Sequence, residues 1–142
     1  MTILFETLGR LAADCGAEIS QTGGEIVITN RENGNRLFIF PDCGDEYIVS
    51  FSTTHRHLDE PDDIADYVKE ILSDEVLPIE FYLNGARRFG GELNRREAEG
   101  LSKAVLERQY CRFVGPLDAY EYEVKSWSGN YDTGRRPFTA LP

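Results

Sequence analysis

The sequence predicts an α+β fold, an antiparallel sheet meander packed with about three helices. Three observations carry that prediction. Short β-branched and aromatic runs follow one another across tight-turn signals. One stretch in the middle of the chain holds an unbroken helical apolar stripe. The strands also arrive as consecutive hairpins, not as alternating strand–helix units. The 142 residues suit one domain, and no Pro/Gly/Ser-rich linker or internal repeat divides them. We place the domain at residues 1–128 and read the polar, turn-rich stretch 129–142 as a loosely held tail.

Each element has a local cause. Ile3, Leu4, Leu8, Leu11 and Ala12 recur at helical spacing, Thr2 can cap, and Gly16 follows the last turn. Ala17 to Ser20 gives a short first strand turned by Gly23-Gly24. Glu25 to Thr29 and Arg36 to Phe40 are compact apolar runs. Asn33-Gly34 lies between them as a hairpin signal, since both turn residues of a type I′ turn take positive φ. Pro41 to Asp45 is a turn leading to the strand Tyr47 to Phe51, for a meander of three or four strands. In the second helix Ile64, Tyr67, Val68, Ile71 and Leu72 form one stripe, and Pro61 suits the first turn. A strand follows at Pro78 to Leu83, turned by Asn84-Gly85. A third helix starts near Asn94, with Glu97 at capping-box spacing and Ala98, Leu101, Val105 and Leu106 as its apolar face. Tyr120 to Trp127 alternates as a half-buried strand near a sheet edge. Trp127 is expected against the sheet, while Tyr131 and Phe138 are late aromatics that could anchor an interface.

Charge is the most informative feature. The chain holds 25 Asp and Glu against 15 Lys and Arg, a formal charge of −10. That sign argues against a nucleic-acid binder, whose phosphates would be repelled without a strong local basic patch, and equally against an anionic membrane surface. No apolar run reaches a membrane span, and no signal-peptide pattern opens the chain, so the expected compartment is the cytoplasm. The excess is local. Between Phe40 and Glu80 stand Asp42, Asp45, Glu46, Asp59, Glu60, Asp62, Asp63, Asp66, Glu70, Asp74, Glu75 and Glu80, against only Arg56 and Lys69. Elsewhere acids and bases balance. Helix-dipole compensation explains the acids of the first turn but not Asp66 or Glu70, which are like-charged i,i+4 neighbours. Such a patch speeds encounter with a basic protein. The candidate partner-binding residues are therefore Asp42, Asp45, Glu46, Asp59, Glu60, Asp62, Asp63, Asp66 and Glu70. A solvated, solubilising face is the alternative reading of the same residues.

Other chemistry is weakly signalled. His55-x-His57, with Asp59 and Glu60 nearby, reads as a surface loop pair, not a metal site. Cys15, Cys43 and Cys111 are scattered and read as free, mostly buried thiols. The Gly85 to Gly91 stretch lacks the Gly-Lys-Ser/Thr ending of a phosphate loop. The basic stretch of Arg87, Arg88, Arg95, Arg96, Lys103, Arg108 and Arg112 is largely offset by Glu92, Glu97, Glu99 and Glu107, and has no RNA-binding loop motif. No carboxylate pair stands out as general acid and base. The reading is of a non-enzymatic protein with no metal or cofactor.

A resemblance points the same way. Ala12-Ala13-Asp14-Cys15-Gly16 closes a short leading helix, Gly23-Gly24 turns a hairpin, and Leu37-Phe38-Ile39 forms a strand. Tyr47 to Thr53 then leads through an acidic loop to the helix Asp62 to Leu72. This pattern, over residues 11–72, resembles small bacterial immunity proteins of polymorphic toxin systems, the family that includes the antitoxin of a mycobacterial NAD-degrading necrotizing toxin. The resemblance implies a non-enzymatic inhibitor that neutralises a cognate toxin. The expected partner is thus a basic protein, either a toxin domain or a nuclease. The alternatives are a type III secretion-type effector chaperone, a phage-encoded inhibitor of a CRISPR nuclease, and a small enzyme. The oligomeric state is not set by the sequence.

Overall fold

A computed structural model describes residues 2–110 and 115–142, with side chains from Leu4 onward. The fold is α+β. Helix α1 (Thr2–Asp14) ends in a Schellman turn: Ala17 N–H reaches Ala12 O at 2.8 Å and Gly16 N–H reaches Ala13 O at 3.0 Å. Capping by the Thr2 side chain lies outside the described residues. Five strands then form one antiparallel meander in the order β1-β2-β3-β4-β5: β1 (Glu18–Thr22), β2 (Glu25–Thr29), β3 (Arg36–Pro41), β4 (Tyr47–Phe51) and β5 (Thr54–Leu58). The sheet thus has one strand more than its sequence suggests. The extra strand is β5, which carries His55 and His57 on a sheet edge and not in a loop.

Helix α2 (Pro61–Leu72) buries Ile64, Tyr67, Val68, Ile71 and Leu72, the stripe its spacing predicts. Together with Leu4, Leu8 and Ala12 of α1 it covers one sheet face, where Ile26, Ile28, Leu37, Ile39, Val49 and Phe51 form the first core. Trp127 joins this core as expected, packing edge-on to Phe51 at 5.7 Å between ring centroids.

A second sheet follows in the order β7-β6-β8-β9: β6 (Leu77–Leu83), β7 (Ala86–Leu93), β8 (Tyr120–Val124) and the two-residue β9 (Arg136–Pro137). The β6–β7 turn takes positive φ at both Asn84 and Gly85, which suits a two-residue hairpin. Strand β7 runs through the Gly-rich basic stretch that shows no strand signal. Its register slips between Phe81 and Tyr82, leaving Arg88 as the extra residue of a bulge. Strand β8 is interior between β6 and β9, not at an edge, because the segment after residue 129 returns to pair with it. That segment is not loose throughout: Phe138 is fully buried and Leu141 nearly so, in a second core with Leu77, Ile79, Phe81, Leu93, Leu106, Tyr120, Tyr122 and Val124.

Two further expectations change. The third helix is two short ones, α3 (Arg95–Glu99) and α4 (Lys103–Gln109), broken at Gly100. The expected capping box at Asn94 and Glu97 is present, and Ser102 caps α4 separately. The Asn33-Gly34 loop is also not a two-residue turn, since only Gly34 takes positive φ. Its asparagines turn outward instead. Asn30, Asn33 and Asn35 donate to the Trp127 carbonyl at 2.9, 3.0 and 3.0 Å, tying the first sheet to the end of β8. Cys15 and Cys43 are exposed, contrary to the expected burial, because both sit in polar turns between elements. Cys111 lies outside the described residues.

Candidate functional site

The β3–β4 turn and the β5–α2 connection lie at the same end of the first sheet, because Pro41, Tyr47 and Leu58 are in register across three strands. That register gathers Asp42, Asp45 and Glu46 beside Asp59 and Glu60. Helix α2 starts from the same end, with Glu60 at its N-cap, Pro61 at its first position, and Asp62 and Asp63 in its first turn. Asp66 is exposed one turn further on, and Glu70 is half-buried beyond it. The chain folds this way locally because acids are favoured at the helix N-terminus and the apolar stripe must face the sheet.

The twelve acids of this region divide by what they touch. Asp42 and Glu46 both contact the His57 ring, with Nδ1 at 3.1 and 2.9 Å from their oxygens. These three form a cluster that could in principle hold a cation, and the partners of His57 are Asp42 and Glu46, not Asp59 and Glu60. Asp74 is buried and accepts from the Ser128 N–H at 3.1 Å. Glu75 pairs with Arg95, and Glu80 with Arg87. Glu70 acts on Arg56 through space. Asp45, Asp59, Glu60, Asp62, Asp63 and Asp66 are all exposed, and none makes an ion pair or side-chain hydrogen bond among the described residues. The patch read from the sequence therefore narrows to these six as unpaired charge.

A second constellation has no signal in the sequence. Strands β5 and β7 each end their sheet, and they face one another across a groove of about 650 Å³. Thr54, His55, Arg56, Arg87, Gly90 and Gly91 are among its lining residues. At its base the Glu92 carboxylate accepts from the hydroxyls of Thr54 and Tyr67, and from Arg56 Nη2 at 2.6 Å. Arg56 also lies over the Tyr67 ring at 4.1 Å. Tyr110 donates to the Glu92 carbonyl at 3.0 Å and packs on Gly91, where a Cβ would come within 2.5 Å of its ring.

The electrostatics follow from those contacts. Burial alone would raise the Glu92 carboxyl, but hydrogen bonds from Thr54, Tyr67 and Arg56 prevail and hold it below the usual carboxylate value. Burial and its hydrogen bond to Glu92 push the Tyr67 phenol well up. Burial, with the charges of Glu97 and Glu92, pushes Tyr110 up to about 12. Every acceptor oxygen of Glu92 is thus engaged within the protein. The network joins both sheets and α2. Sequence could not group these residues, since Thr54, Tyr67 and Glu92 are 13 to 38 positions apart.

The basic residues are partly engaged as well. Arg87, Arg95 and Lys103 pair with Glu80, Glu75 and Asp118. No helix among the described residues is long and apolar enough to cross a membrane. Comparison with protein-family models, curated proteins and solved structures gave no match.

Proposed function

We propose that the protein is a non-enzymatic, acidic binding protein of the immunity type, which neutralises a basic toxin domain or nuclease by occupying its cationic surface. One observation carries this reading. Asp45, Asp59, Glu60, Asp62, Asp63 and Asp66 lie together at one end of the first sheet and none has an internal partner among the described residues. Among the described residues Arg31, Arg56, Arg87, Arg95, Lys103 and Lys125 pair with other acids, and this group is left unbalanced. Like charges held close raise the local potential and steer a cationic protein toward the patch. They add orientation and encounter rate more than raw affinity. The cytoplasm remains the proposed compartment, as the place where such an inhibitor protects its own cell.

The test compares two baits in the native host: the wild-type protein and a variant with Asp59, Asp62, Asp63 and Asp66 replaced by Asn. A basic protein should be recovered by the wild type and lost by the variant. Its association rate with the wild type should fall about tenfold or more between low and physiological salt. Equal recovery by both baits, or an association rate indifferent to salt, overturns the proposal.

A further inference from the structure

The first sheet has two faces, and among the described residues only one is covered by helices. Ile26, Ile39 and Val49 align on the face beneath α1 and α2, as do Ile28, Leu37 and Phe51. The intervening residues align on the other face. Val27, Phe38, Ser50 and His55 form one row across β2 to β5, and Phe40, Ile48 and His57 form the next. Val27, Phe38, Phe40 and Ile48 are half-buried, and they belong to neither core. Antiparallel sheets that face water on one side normally alternate to polar residues there. This face instead gathers four apolar side chains at its centre, among Ser20, Thr29, Arg36, Ser50 and two imidazoles.

The rim of the face is polarised. At one end stand Asp42, Asp45 and Glu46, with Asp59 and Glu60 following the end of β5. At the other end a shallow groove is lined by Asn35, Arg36, Phe38, Ser50 and Lys125. Lys125 is paired with Glu123 at 3.3 Å. An apolar centre inside a polar, charged rim is the usual anatomy of a protein interface.

We infer that this outer sheet face is the apolar centre of the partner-binding surface, and that its occupant is a cationic protein segment whose apolar side chains seat between Phe38, Phe40 and Ile48 while its Lys or Arg residues meet the carboxylates at the β3–β4 end. This rests on the proposed function above and adds the contact that the acidic patch alone lacks. Charge selects the occupant. A second copy would bring another −10 onto the face. A basic segment removes that repulsion. Hydrophobic contact at Phe38 and Phe40 then supplies the affinity that long-range charge does not.

The probes are two labelled peptides of equal length and charge, (Lys-Val)5 and (Lys-Ser)5, followed by fluorescence anisotropy at low salt. Wild-type protein should bind (Lys-Val)5 about tenfold tighter or more, since burying one valine side chain is worth roughly that factor. The double change Phe38→Ser and Phe40→Ser should erase this preference and leave (Lys-Ser)5 binding unchanged. Ser50→Lys, which places a like charge in the same row, should weaken both peptides while the apolar set is unaltered. Circular dichroism checks that both variants fold. Replacing Asp42 and Asp45 by Asn and Glu46 by Gln, the carboxylates at the β3–β4 end, should weaken both peptides together. Equal binding of the two peptides to the wild type overturns the assignment of this face while leaving the acidic patch standing. A preference that survives the Phe38→Ser and Phe40→Ser change does the same. Binding of neither peptide overturns both readings. A firm dimer in sedimentation that the Phe variants dissolve gives the face to a second copy and overturns the cationic occupant.

Discussion

Glu92 and Asp62 carry the same chemical group and meet opposite environments. Glu92 sits where two sheets and a helix converge, and Thr54, Arg56 and Tyr67 all bond to its side chain. Asp62 stands exposed in the first turn of α2, and its stabilisation comes from the helix N-terminus alone. The contrast separates carboxylates that hold this fold together from carboxylates left available to something else. It also shows why a count of charge is a coarse guide. Of the twelve acids between Phe40 and Glu80, half already have work inside the chain.

The contrast can be broken most forcefully at Glu92. Glu92→Ala leaves two hydroxyls and a guanidinium without their acceptor, so unfolding free energy should fall by about 2–3 kcal/mol in urea titration. The Asn variant at Asp59, Asp62, Asp63 and Asp66 should lie within about 1 kcal/mol of wild type, because lost dipole compensation and relieved repulsion offset one another. A large loss in the second and none in the first would reverse the division drawn here.

The pH dependence sharpens it. Glu92 has its carboxyl held down in the folded state, so its contribution is complete above the ordinary carboxylate value and is lost as pH falls through the folded one. Tyr67 is shifted up, so its contribution is complete below the ordinary phenol value near about 10 and is lost as pH rises beyond it. Wild-type stability should therefore drop at both extremes. Glu92→Gln should flatten the acid limb, and Tyr67→Phe the alkaline limb, in thermal melts against pH. An acid limb as steep in Glu92→Gln as in wild type would show that other carboxylates govern it. The smallest effect is at Asp66. Asp66→Asn removes its like-charge pairing with Glu70 at i,i+4 and should stabilise the protein by about 0.2–0.5 kcal/mol. A destabilisation would mean that Asp66 has a partner in solution.

The five-stranded sheet was largely legible because its cues are local. Each hairpin brings residues close in sequence into register, and the α2 stripe repeats within a single helix. The second sheet was less so. Strand β7 holds Arg87, Arg88, Gly90 and Gly91, a composition that disfavours a strand, and it forms because β6 lies beside it and Tyr110 packs onto Gly91. Strand β8 looked like an edge because its covering strand comes from a polar stretch anchored by Phe138. The Asn33-Gly34 loop misled for a related reason, since its asparagines bond to a carbonyl more than ninety positions away.

Sequence by itself determined the α+β class, the amphipathic helix, the capping box at Asn94 and the location of the excess charge. These depend on periodicity, turn chemistry and composition, which act over a few residues. Tertiary structure decided which acids are engaged, which face of the first sheet is left uncovered, and that Glu92 joins the two sheets. Those properties depend on contacts between segments distant in the chain, where packing geometry and desolvation, not local preference, fix the outcome.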